Sequence, residues 1–345
     1  MEIIKNTHFC VEAMPFKCHD GRCVLSIIVK GSFKFDSGEV DVAGEQIPVF
    51  FGDELFDEEN GGSVKFESDI VPFKPKADIV LSGKAFAPGG KPSMFCDATL
   101  RVGDIQKTIR VLGDRKWNYG GKIMPEYPTS PVPFIEMDMV YENAFGGMDM
   151  RNGAYCRENL VGKGFLAKKD AGIADIFLPN LEAPNDLIGS CKDHPKPAGF
   201  GFYGRAWQPR VSYMGTYDDT WRKERSPDLP EDFNPAFYNG AHPDLQAEGY
   251  LKGDEKVELI HLTPGGHAVF HLSGLDVTCH VEKKFDHDDE SKPTEKINIP
   301  LDLDTLCIIP GDGMFYQVWR GTRHIAAIDS LEVNRVFVES SDFIF

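Results

Sequence analysis

The sequence lacks the features typical of membrane-spanning and nucleic-acid-binding proteins. Its longest strongly apolar run, Cys23 to Val29 with Ser26 inside it, is far shorter than the ~18 residues of a membrane-spanning helix. Basic residues are in the minority, with 37 Lys and Arg against 54 Asp and Glu, and they form no dense run. A net charge of −17 makes unspecific binding to nucleic acid or anionic lipid unfavourable, so we expect neither as a partner.

Signal-peptide and metal-binding patterns are also missing. The N-terminus has no basic start followed by an apolar stretch, so the protein is predicted to be cytoplasmic. The eight cysteines are irregularly spaced and form no Cys-x-x-Cys pair, which fits a reduced compartment. Cys18, His19 and Cys23 could in principle hold zinc. The pattern favours a turn around Asp20 and Gly21, because a second pair of ligands has no obvious partner segment.

Catalytic motifs are equally scarce. The chain contains no Gly-x-Ser-x-Gly elbow, no phosphate-binding loop, no Gly-x-Gly-x-x-Gly and no His-Glu-x-x-His. Two acidic runs, 53–59 and 286–290, lack the spacing of a calcium loop and are interpreted as solvated charge. Glu136 and Asp138 would share one face of a strand at ~7 Å, a spacing that a glycosidase acid–base pair could use. We expect a protein that is not an enzyme and that holds no cofactor or metal.

What the sequence does contain is a series of strand patterns. From Cys23 to Phe35 apolar residues alternate with more polar ones, which predicts a long strand with a core side and a wetter side. A Gly103–Asp104 pair between two alternating segments predicts a hairpin. The other predicted strands are 77–87, 94–102, 105–111, 257–262, 268–272, 275–281, 297–301, 305–309, 315–319 and 335–338. The acidic stretch 285–296 is predicted to be a loop between strands.

The middle of the chain differs from its flanks. Residues 115–255 contain 29 Gly and Pro in 141 positions, against 28 in 204 elsewhere, yet they hold three of the four tryptophans. A disordered linker would be poor in aromatic residues, so an ordered, loop-rich region is predicted. Short helices are predicted at 216–225, with Thr216 and Asp219 as a capping box, and at 184–188.

These patterns together predict a mainly β protein. We expect sandwich-like layers from an N-terminal β region, 1–115, and a C-terminal β region, 256–345. A loop-rich and aromatic-rich middle region, 116–255, is expected to wrap these layers with few short helices, in one compact body. No internal repeat is visible, which argues against propellers and solenoids.

A set of ordered segments between the strands carries more specific information. In chain order they are Pro72 to Val80; Gly113-Asp114-Arg115 with Trp117; Tyr141-Glu142-Asn143-Ala144-Phe145-Gly146-Gly147; Leu178-Pro179-Asn180-Leu181-Glu182; Pro197-Ala198-Gly199-Phe200-Gly201; Trp207-Gln208-Pro209-Arg210; Gly215-Thr216-Tyr217-Asp218 with Trp221; Leu229-Pro230-Glu231-Asp232-Phe233; and Gly253-Asp254-Glu255. Together they resemble a bacterial family, long catalogued only as a domain of unknown function, whose members are type VI secretion effector adaptors, or loading chaperones. The resemblance extends from about residue 10 to 320.

The resemblance implies a non-enzymatic, cytoplasmic protein. Such a protein binds a secreted effector or toxin, or the spike-tip (PAAR-like) or spike (VgrG-like) protein, and helps to load the cargo onto the secretion spike. The sequence departs from the family pattern at 159–164 and 241–246, both of which are predicted loops. These departures bear on loop shape and on the choice of cargo.

Two groups of candidate site residues follow from the motifs and their surroundings. Interfaces favour Tyr and Arg, so the candidate partner-binding residues are Tyr203, Arg205, Arg210, Tyr213, Tyr217 and Arg222. The other group is expected to hold the loops together, because their backbone polar groups need partners. It comprises Asp78, Asp114, Arg115, Trp117, Glu142, Phe145, Gly146, Gly147, Glu182, Gly199, Phe200, Trp207, Trp221, Arg225, Asp232 and Asp254.

Two other functions remain open at this point. A carbohydrate-binding module or glycosidase would use exposed aromatic residues with Glu136 and Asp138, although the missing secretion signal weighs against it. A metal-dependent hydrolase would need bound metal. For an adaptor, the acidic surface would favour a basic cargo and make binding sensitive to salt.

Overall fold

The computed structural model describes residues 1–118, 127–167, 175–283, 295–328 and 333–341. These residues form a mainly β protein, as the sequence predicts. The strands are β1 Glu2–Asn6, β2 Cys10–Lys17, β3 Cys23–Asp36, β4 Glu39–Val42, β5 Glu54–Leu55, β6 Val64–Phe66, β7 Ala77–Leu81, β8 Lys84–Phe86, β9 Phe95–Val102, β10 Ile105–Leu112, β11 Trp117–Asn118, β12 Tyr127–Pro128, β13 Glu136–Asp138, β14 Phe145–Gly146, β15 Met148–Asp149, β16 Ala154–Tyr155, β17 Lys163–Gly164, β18 Leu181–Glu182, β19 Gln246–Ala247, β20 Lys256–Ile260, β21 His267–His271, β22 Val277–Lys283, β23 Glu295–Ile299, β24 Asp302–Ile309, β25 Met314–Ile325 and β26 Val333–Ser340.

Helical structure is confined to short pieces in the described residues. One α-helix, α1, spans Asp219–Glu224, and 3₁₀ turns occur at Pro88–Gly90, Tyr141–Asn143, Arg210–Tyr213, Pro235–Tyr238, Pro243–Leu245 and Pro310–Asp312. The helix begins after Asp218, whose side chain accepts a hydrogen bond from Trp221 N. The predicted capping by Thr216 is therefore wrong: its hydroxyl donates to Asp232 instead. No helix forms at 184–188, where Asp186 N donates to Ala183 O and closes a turn.

The largest sheet joins the two ends of the chain. Its strand order is β19-β7-β24-β25-β3-β2, and β4 also pairs with β3. The long β3 pairs with β25 from Lys34↔Met314 to Cys23↔Ile325, while β24 runs parallel to β7. Strands from the predicted N-terminal and C-terminal regions therefore belong to one sheet, with β24 and β25 inserted between β7 and β3.

Two further sheets have four or five strands, and the remaining strands form two-stranded pairs. One has the order β18-β10-β9-β20-β21 and contains the predicted hairpin at Gly103–Asp104, between Val102 and Ile105. The other has the order β1-β26-β22-β23, with β1 parallel to β26. The predicted loop 285–296 lies outside the described residues up to 294, and its last two residues belong to β23.

The sheets pack through a continuous aromatic core. The ring of Phe270 on β21 stacks against Phe35 on β3, with centroids 4.3 Å apart, and lies 5.4 Å from Phe315 on β25. Phe33 stacks on Phe315 at 5.1 Å, and Phe9 stacks on Trp319 at 5.7 Å. The Phe270 contacts join the sheet of β21 to the largest sheet, the layered packing expected of a sandwich-like protein.

The predicted wetter side of β3 is wrong from Val24 to Phe33, where both faces of the strand are buried; of the residues predicted on that side, only Lys34 is exposed. Ser26, Lys30 and Ser32 are all fully covered. Segments distant in sequence cover and pair them: Ser32 Oγ accepts a hydrogen bond from Ile47 N at 3.0 Å, and Lys30 Nζ lies 2.8 Å from Asp69 Oδ2. The polar residues at alternate positions of β3 therefore take part in buried polar contacts and do not face solvent.

Lys30 is the most enclosed charge of this face. Its ammonium lies 3.6 Å from the ring centroid of Phe50 and 4.1 Å from that of Tyr316, and Asp69 Oδ2 also accepts Phe50 N at 2.8 Å. Burial lowers the pKa of Lys30, and the Asp69 carboxylate opposes that shift. The pair thus compensates two charges that would each be costly to bury alone.

Lys30→Met is expected to lower the free energy of unfolding by about 3–5 kcal/mol, since Asp69 would be left buried without its cation. Urea unfolding measures the loss. Lys17→Met is the matched control: Lys17 and Asp228 form a pair of similar length, 2.6 Å, but both side chains are part-exposed. That variant should lose less than about 1 kcal/mol. Equal losses in both variants would contradict the role of burial.

Candidate functional site

The loop-rich middle region is fastened internally by a buried ion pair. Arg115 donates through Nη2 to Glu182 Oε1 and to Pro179 O, the latter at 2.9 Å. The second Glu182 oxygen accepts Ile188 N at 2.8 Å. Burial raises the pKa of Glu182, and Arg115 opposes this shift. Arg115 and Glu182 were both expected to be structural, and the geometry joins their two motifs directly.

A second core lies beside this ion pair. It contains Trp117, Phe145, Cys156, Leu166, Leu178 and Ile188. Two residues expected to be structural, Trp117 and Phe145, are thus packed side chains. Asp114 adds a hydrogen bond, because its Oδ1 accepts one from Asn180 Nδ2 at 3.0 Å. The middle region therefore has an apolar interior of its own.

Asp78 connects the middle region to the largest sheet. This fully buried carboxylate accepts hydrogen bonds from Asn239 Nδ2 at 3.0 Å, Gly240 N at 2.9 Å and Ala241 N at 3.1 Å. Lys74 Nζ lies 2.7 Å from its Oδ2. Asp78 thereby fixes the backbone immediately before His242.

Arg210 pairs with a carboxylate that the sequence did not single out. Its Nη2 lies 2.5 Å from Glu67 Oε1, and its Nη1 donates to Tyr203 O at 2.8 Å. Arg205 also reaches Glu67, at 3.1 Å, and Asp53, at 3.2 Å. Because Tyr203 and Arg210 are buried, two of the six candidate partner-binding residues lie inside the protein.

The other candidate partner-binding residues lie nearer the surface. Tyr217 is 42% exposed, and its ring packs edge-on against Trp221 at 4.6 Å. Arg222 is exposed and pairs with Asp219 at 2.8 Å. Tyr213 is half-buried at the end of a 3₁₀ turn. Tyr213 lines a small cleft together with Tyr203 and Arg210, whereas Tyr217 and Arg222 make their contacts at α1.

The remaining motif residues have local structural contacts. Phe200 and Trp207 are buried. Glu142 accepts Ser63 N at 2.6 Å, and Asp232 accepts Thr216 N at 2.9 Å. A Cβ on Gly199 would lie 2.6 Å from the Tyr141 ring.

In the segments around α1, Trp221 Nε1 donates to Asp228 O at 2.8 Å, and Arg225 donates to the carbonyls of His19 and Leu229. Asp254 is exposed. Its neighbour Glu255 instead accepts a hydrogen bond from Lys252 N at 2.6 Å.

Gly146 and Gly147 are needed where two loops meet. Both have positive φ, +152° and +82°. A Cβ on Gly147 would lie 2.0 Å from Gly162 O, and one on Gly146 would lie 2.4 Å from Asn159 O. Asn159 is fully buried and donates through Nδ2 to Tyr141 O at 2.8 Å. Segment 159–164, which departs from the family pattern, therefore packs closely against this motif.

Several motif segments meet around a surface cleft, which we call the polar cleft. It encloses about 780 Å³ and is lined by Lys107, Arg157, Glu158, Ala183, Asn185, Asp186, Lys196, Pro197, Ala198, Tyr203, Gln208, Pro209, His242, Pro243 and Asp244. Within it, Lys107 Nζ lies 2.7 Å from Asp244 Oδ2 and 3.1 Å from His242 Nδ1. Lys107 and His242 are nearly covered, whereas Asp244 is exposed.

The electrostatics of this cluster keep His242 neutral. Burial lowers the pKa of His242 to about 4, and the neighbouring Lys107 charge adds to that shift. Burial also lowers the pKa of Lys107, which Asp244 opposes. At neutral pH the cluster is an ammonium–carboxylate pair beside an uncharged imidazole.

A second cleft, the apolar cleft, adjoins the first. It encloses about 480 Å³ and is lined by Met148, Tyr155, Arg157, Leu160, Ala206, Gln208 and Val211. Met148, Tyr155 and Leu160 are among its exposed apolar side chains. Arg157 and Gln208 line both clefts. Apart from Gln208 in a motif and Leu160 in the segment 159–164, sequence reasoning missed these residues, because they come from separate segments with no common local pattern.

The alternative sites gain no support from this geometry. Glu136 and Asp138 lie on β13 and face Lys84 Nζ, at 2.7 and 3.9 Å. Around Cys18 the backbone forms a turn, closed by Gly21 N donating to Cys18 O at 2.9 Å. Within the five described ranges, no group of three His, Cys, Asp or Glu side chains is placed to hold a metal ion.

Comparison with known proteins identifies the family. The chain belongs to the family described as an uncharacterized protein conserved in bacteria (DUF2169), which it matches over residues 20–320. Searches of the curated proteins and of the solved structures each found no match. None of the helices in the part of the chain that the structure describes is long and apolar enough to cross a membrane.

Gly147→Ala is expected to destabilise the protein by at least about 2 kcal/mol more than Gly153→Ala, because only the first Cβ would overlap backbone atoms. Gly153 is the matched control: its φ is +75°, and nothing lies within 4 Å of its Cβ position. The control should show only the left-handed backbone cost of about 1–2 kcal/mol. Urea midpoints compare the two variants, and equal losses would contradict the close approach.

His242 should make stability depend on pH between about 6.5 and 4. Its pKa is lowered in the folded state, so the unfolded chain binds more protons in this range and stability falls as the pH falls. Between pH 6.5 and 4 the wild type should lose about 3 kcal/mol more than His242→Asn, which can still cap the following turn. Urea unfolding at both pH values measures the difference; parallel losses would contradict the assignment.

Proposed function

We propose that this family member is a non-enzymatic adaptor that loads cargo onto a type VI secretion spike. It binds a secreted effector protein, or the spike-tip (PAAR-like) or spike (VgrG-like) protein attached to it, in the cytosol. The ordered motifs from Pro72 to Glu255 support this proposal through their resemblance to effector adaptors. Since those motifs mostly hold loops in place, we assign the adaptor's specificity to the surface that the loops present.

The observation that carries the proposal is the pair of adjoining clefts on the middle region. Contiguous exposed apolar side chains at a concave surface are typical of protein interaction sites. Met148, Tyr155 and Leu160 are 54%, 53% and 39% exposed and line one cleft together, beside the polar cleft. A globular protein gains nothing in stability by exposing such side chains, so a binding role explains them.

The way the clefts are built suits binding without a large conformational change. Their walls are held by the Arg115–Glu182 pair, by Asp78 and by the second core. A surface that is already ordered loses little conformational entropy when a partner docks, which leaves more of the contact energy for affinity. We therefore expect cargo to dock on a preformed surface, and no reaction is needed for its later release.

Co-expression with the products of the neighbouring genes tests the adaptor role. A tagged protein should retain a secreted effector or a spike-tip protein as a stable complex through size-exclusion chromatography. A spike-tip protein from an unrelated gene cluster, expressed in the same way, is the control and should not be retained. Failure to retain any neighbouring product, with both proteins folded, would contradict the proposal.

The association rate of that complex should fall as salt rises from 50 to 500 mM, since a net charge of −17 steers a basic cargo surface. Stopped-flow or surface-plasmon measurements give the rate. A rate that is indifferent to salt would contradict steering by charge while leaving the complex itself intact.

A further inference from the structure

The buried Lys30–Asp69 pair holds an amine against a carboxyl group where solvent does not reach. The Lys30 side chain is fully covered and that of Asp69 is 6% exposed, and Nζ lies 2.8 Å from Oδ2. A hydrogen bond of this length leaves the nitrogen about 3–4 Å from the carboxyl carbon, near the ~3–3.5 Å of a reactive arrangement. Two groups that can condense to an amide are therefore held in place, and the product would be shielded from hydrolysis.

The hydrogen bonding of Lys30 does little to fix it as an ammonium. An ammonium has three N–H donors, yet Asp69 is the one hydrogen-bond acceptor that Lys30 meets in the five described ranges. The rings of Phe50 and Tyr316 lie beside the nitrogen, with centroids at 3.6 and 4.1 Å. Burial lowers the pKa of Lys30 despite the opposing charge of Asp69, which favours the neutral amine that can attack a carboxyl group.

The Lys74–Asp78 pair has a similar separation but the opposite electrostatics. Its Nζ lies 2.7 Å from Oδ2 and both side chains are buried, but Lys74 also donates to the Thr305 hydroxyl at 2.9 Å. Burial opposes the charge of Lys74, but neighbouring carboxylates, Asp78 foremost, raise the pKa of Lys74 above its usual value. An amine that stays protonated has no lone pair for attack, so Lys74 is expected to remain unmodified.

Backbone contacts position Asp69 for the same reaction. Phe50 N donates to Asp69 Oδ2 at 2.8 Å, and Arg320 Nη1 donates to Asp69 O at 3.0 Å, which fixes the backbone. When an amine attacks a carboxyl carbon, negative charge develops on the oxygen that is retained, and a fixed N–H donor at that oxygen stabilises it. The site therefore supplies the amine, the carboxyl group and the stabilising donor without another molecule.

We propose that Lys30 Nζ and Asp69 Cγ become joined in an isopeptide bond, so that their ion pair is the reactant of a self-catalysed condensation. The N–Cγ bond forms, the Cγ–Oδ1 bond breaks, and Oδ1 leaves as water with two protons of the ammonium. The cation and the anion both disappear, and no oxidant or other reagent is consumed. A neutral amide thus replaces two buried charges and links β3 covalently to a segment 39 residues away. The bond is independent of the adaptor role.

Mass spectrometry of the denatured full-length protein tests the bond. The loss of one water lowers the intact mass by about 18 Da relative to the mass calculated from the sequence. After digestion with trypsin, residues 23–34 and 66–76 should appear as one joined peptide, uncut after Lys30 because trypsin does not cleave at an acylated lysine. An intact mass equal to the calculated one, with peptides 23–30 and 66–76 recovered separately, would overturn the proposal.

Two matched substitutions assign the lost water to this pair. Lys30→Arg keeps the positive charge but removes the amine, so this variant should show its full calculated mass. Lys74→Arg makes the same change at the other buried pair and should still lose one water. A mass deficit that persists in Lys30→Arg, or that maps to any other pair of peptides, would overturn the proposal. The joined peptide of the wild type decides the question even if Lys30→Arg does not fold.

Discussion

The fully buried carboxylate of Asp78 is a central connection between the β body and the loop-rich region. Asp78 lies on β7 inside the largest sheet. Its carboxylate accepts hydrogen bonds from two backbone amides and one side-chain amide of residues 239–241, and it forms an ion pair with Lys74. A buried carboxylate without such partners would be far too costly to keep. Sheet and loops are therefore coupled, because neither can satisfy these polar groups without the other.

The same requirement governs the rest of the middle region. Backbone groups that form no sheet ladder must find other partners, and Asn159, Asn180 and Glu182 supply them from buried positions. These side chains replace the hydrogen bonds that helices or long strands would have made. The excess of Gly and Pro has the same origin, since loops that approach as closely as Gly147 and Gly162 leave no room for a Cβ.

The sequence allowed the strands to be predicted far better than the site. Alternation marked β3 and the β9–β10 hairpin correctly, because a strand's period is local information. It failed for the second face of β3, where Lys30 is covered by Asp69, 39 residues away. Of two buried arginines, Arg115 pairs with Glu182, which belongs to a motif, whereas Arg210 pairs with Glu67, which no motif contains. Partners distant in sequence have no periodic signature.

The clefts show why the net charge of a protein is a poor guide to its binding surface. A value of −17 describes the average field, which acts at long range and is screened within about 8 Å at physiological salt. At contact distances the polar cleft presents three basic side chains, Lys107, Arg157 and Lys196, and three acidic ones, Glu158, Asp186 and Asp244, so its own charges balance. An acidic protein can thus attract a basic partner from afar and still offer side chains of both signs at contact. Separating the two length scales reconciles the overall charge with a cleft whose own charges balance.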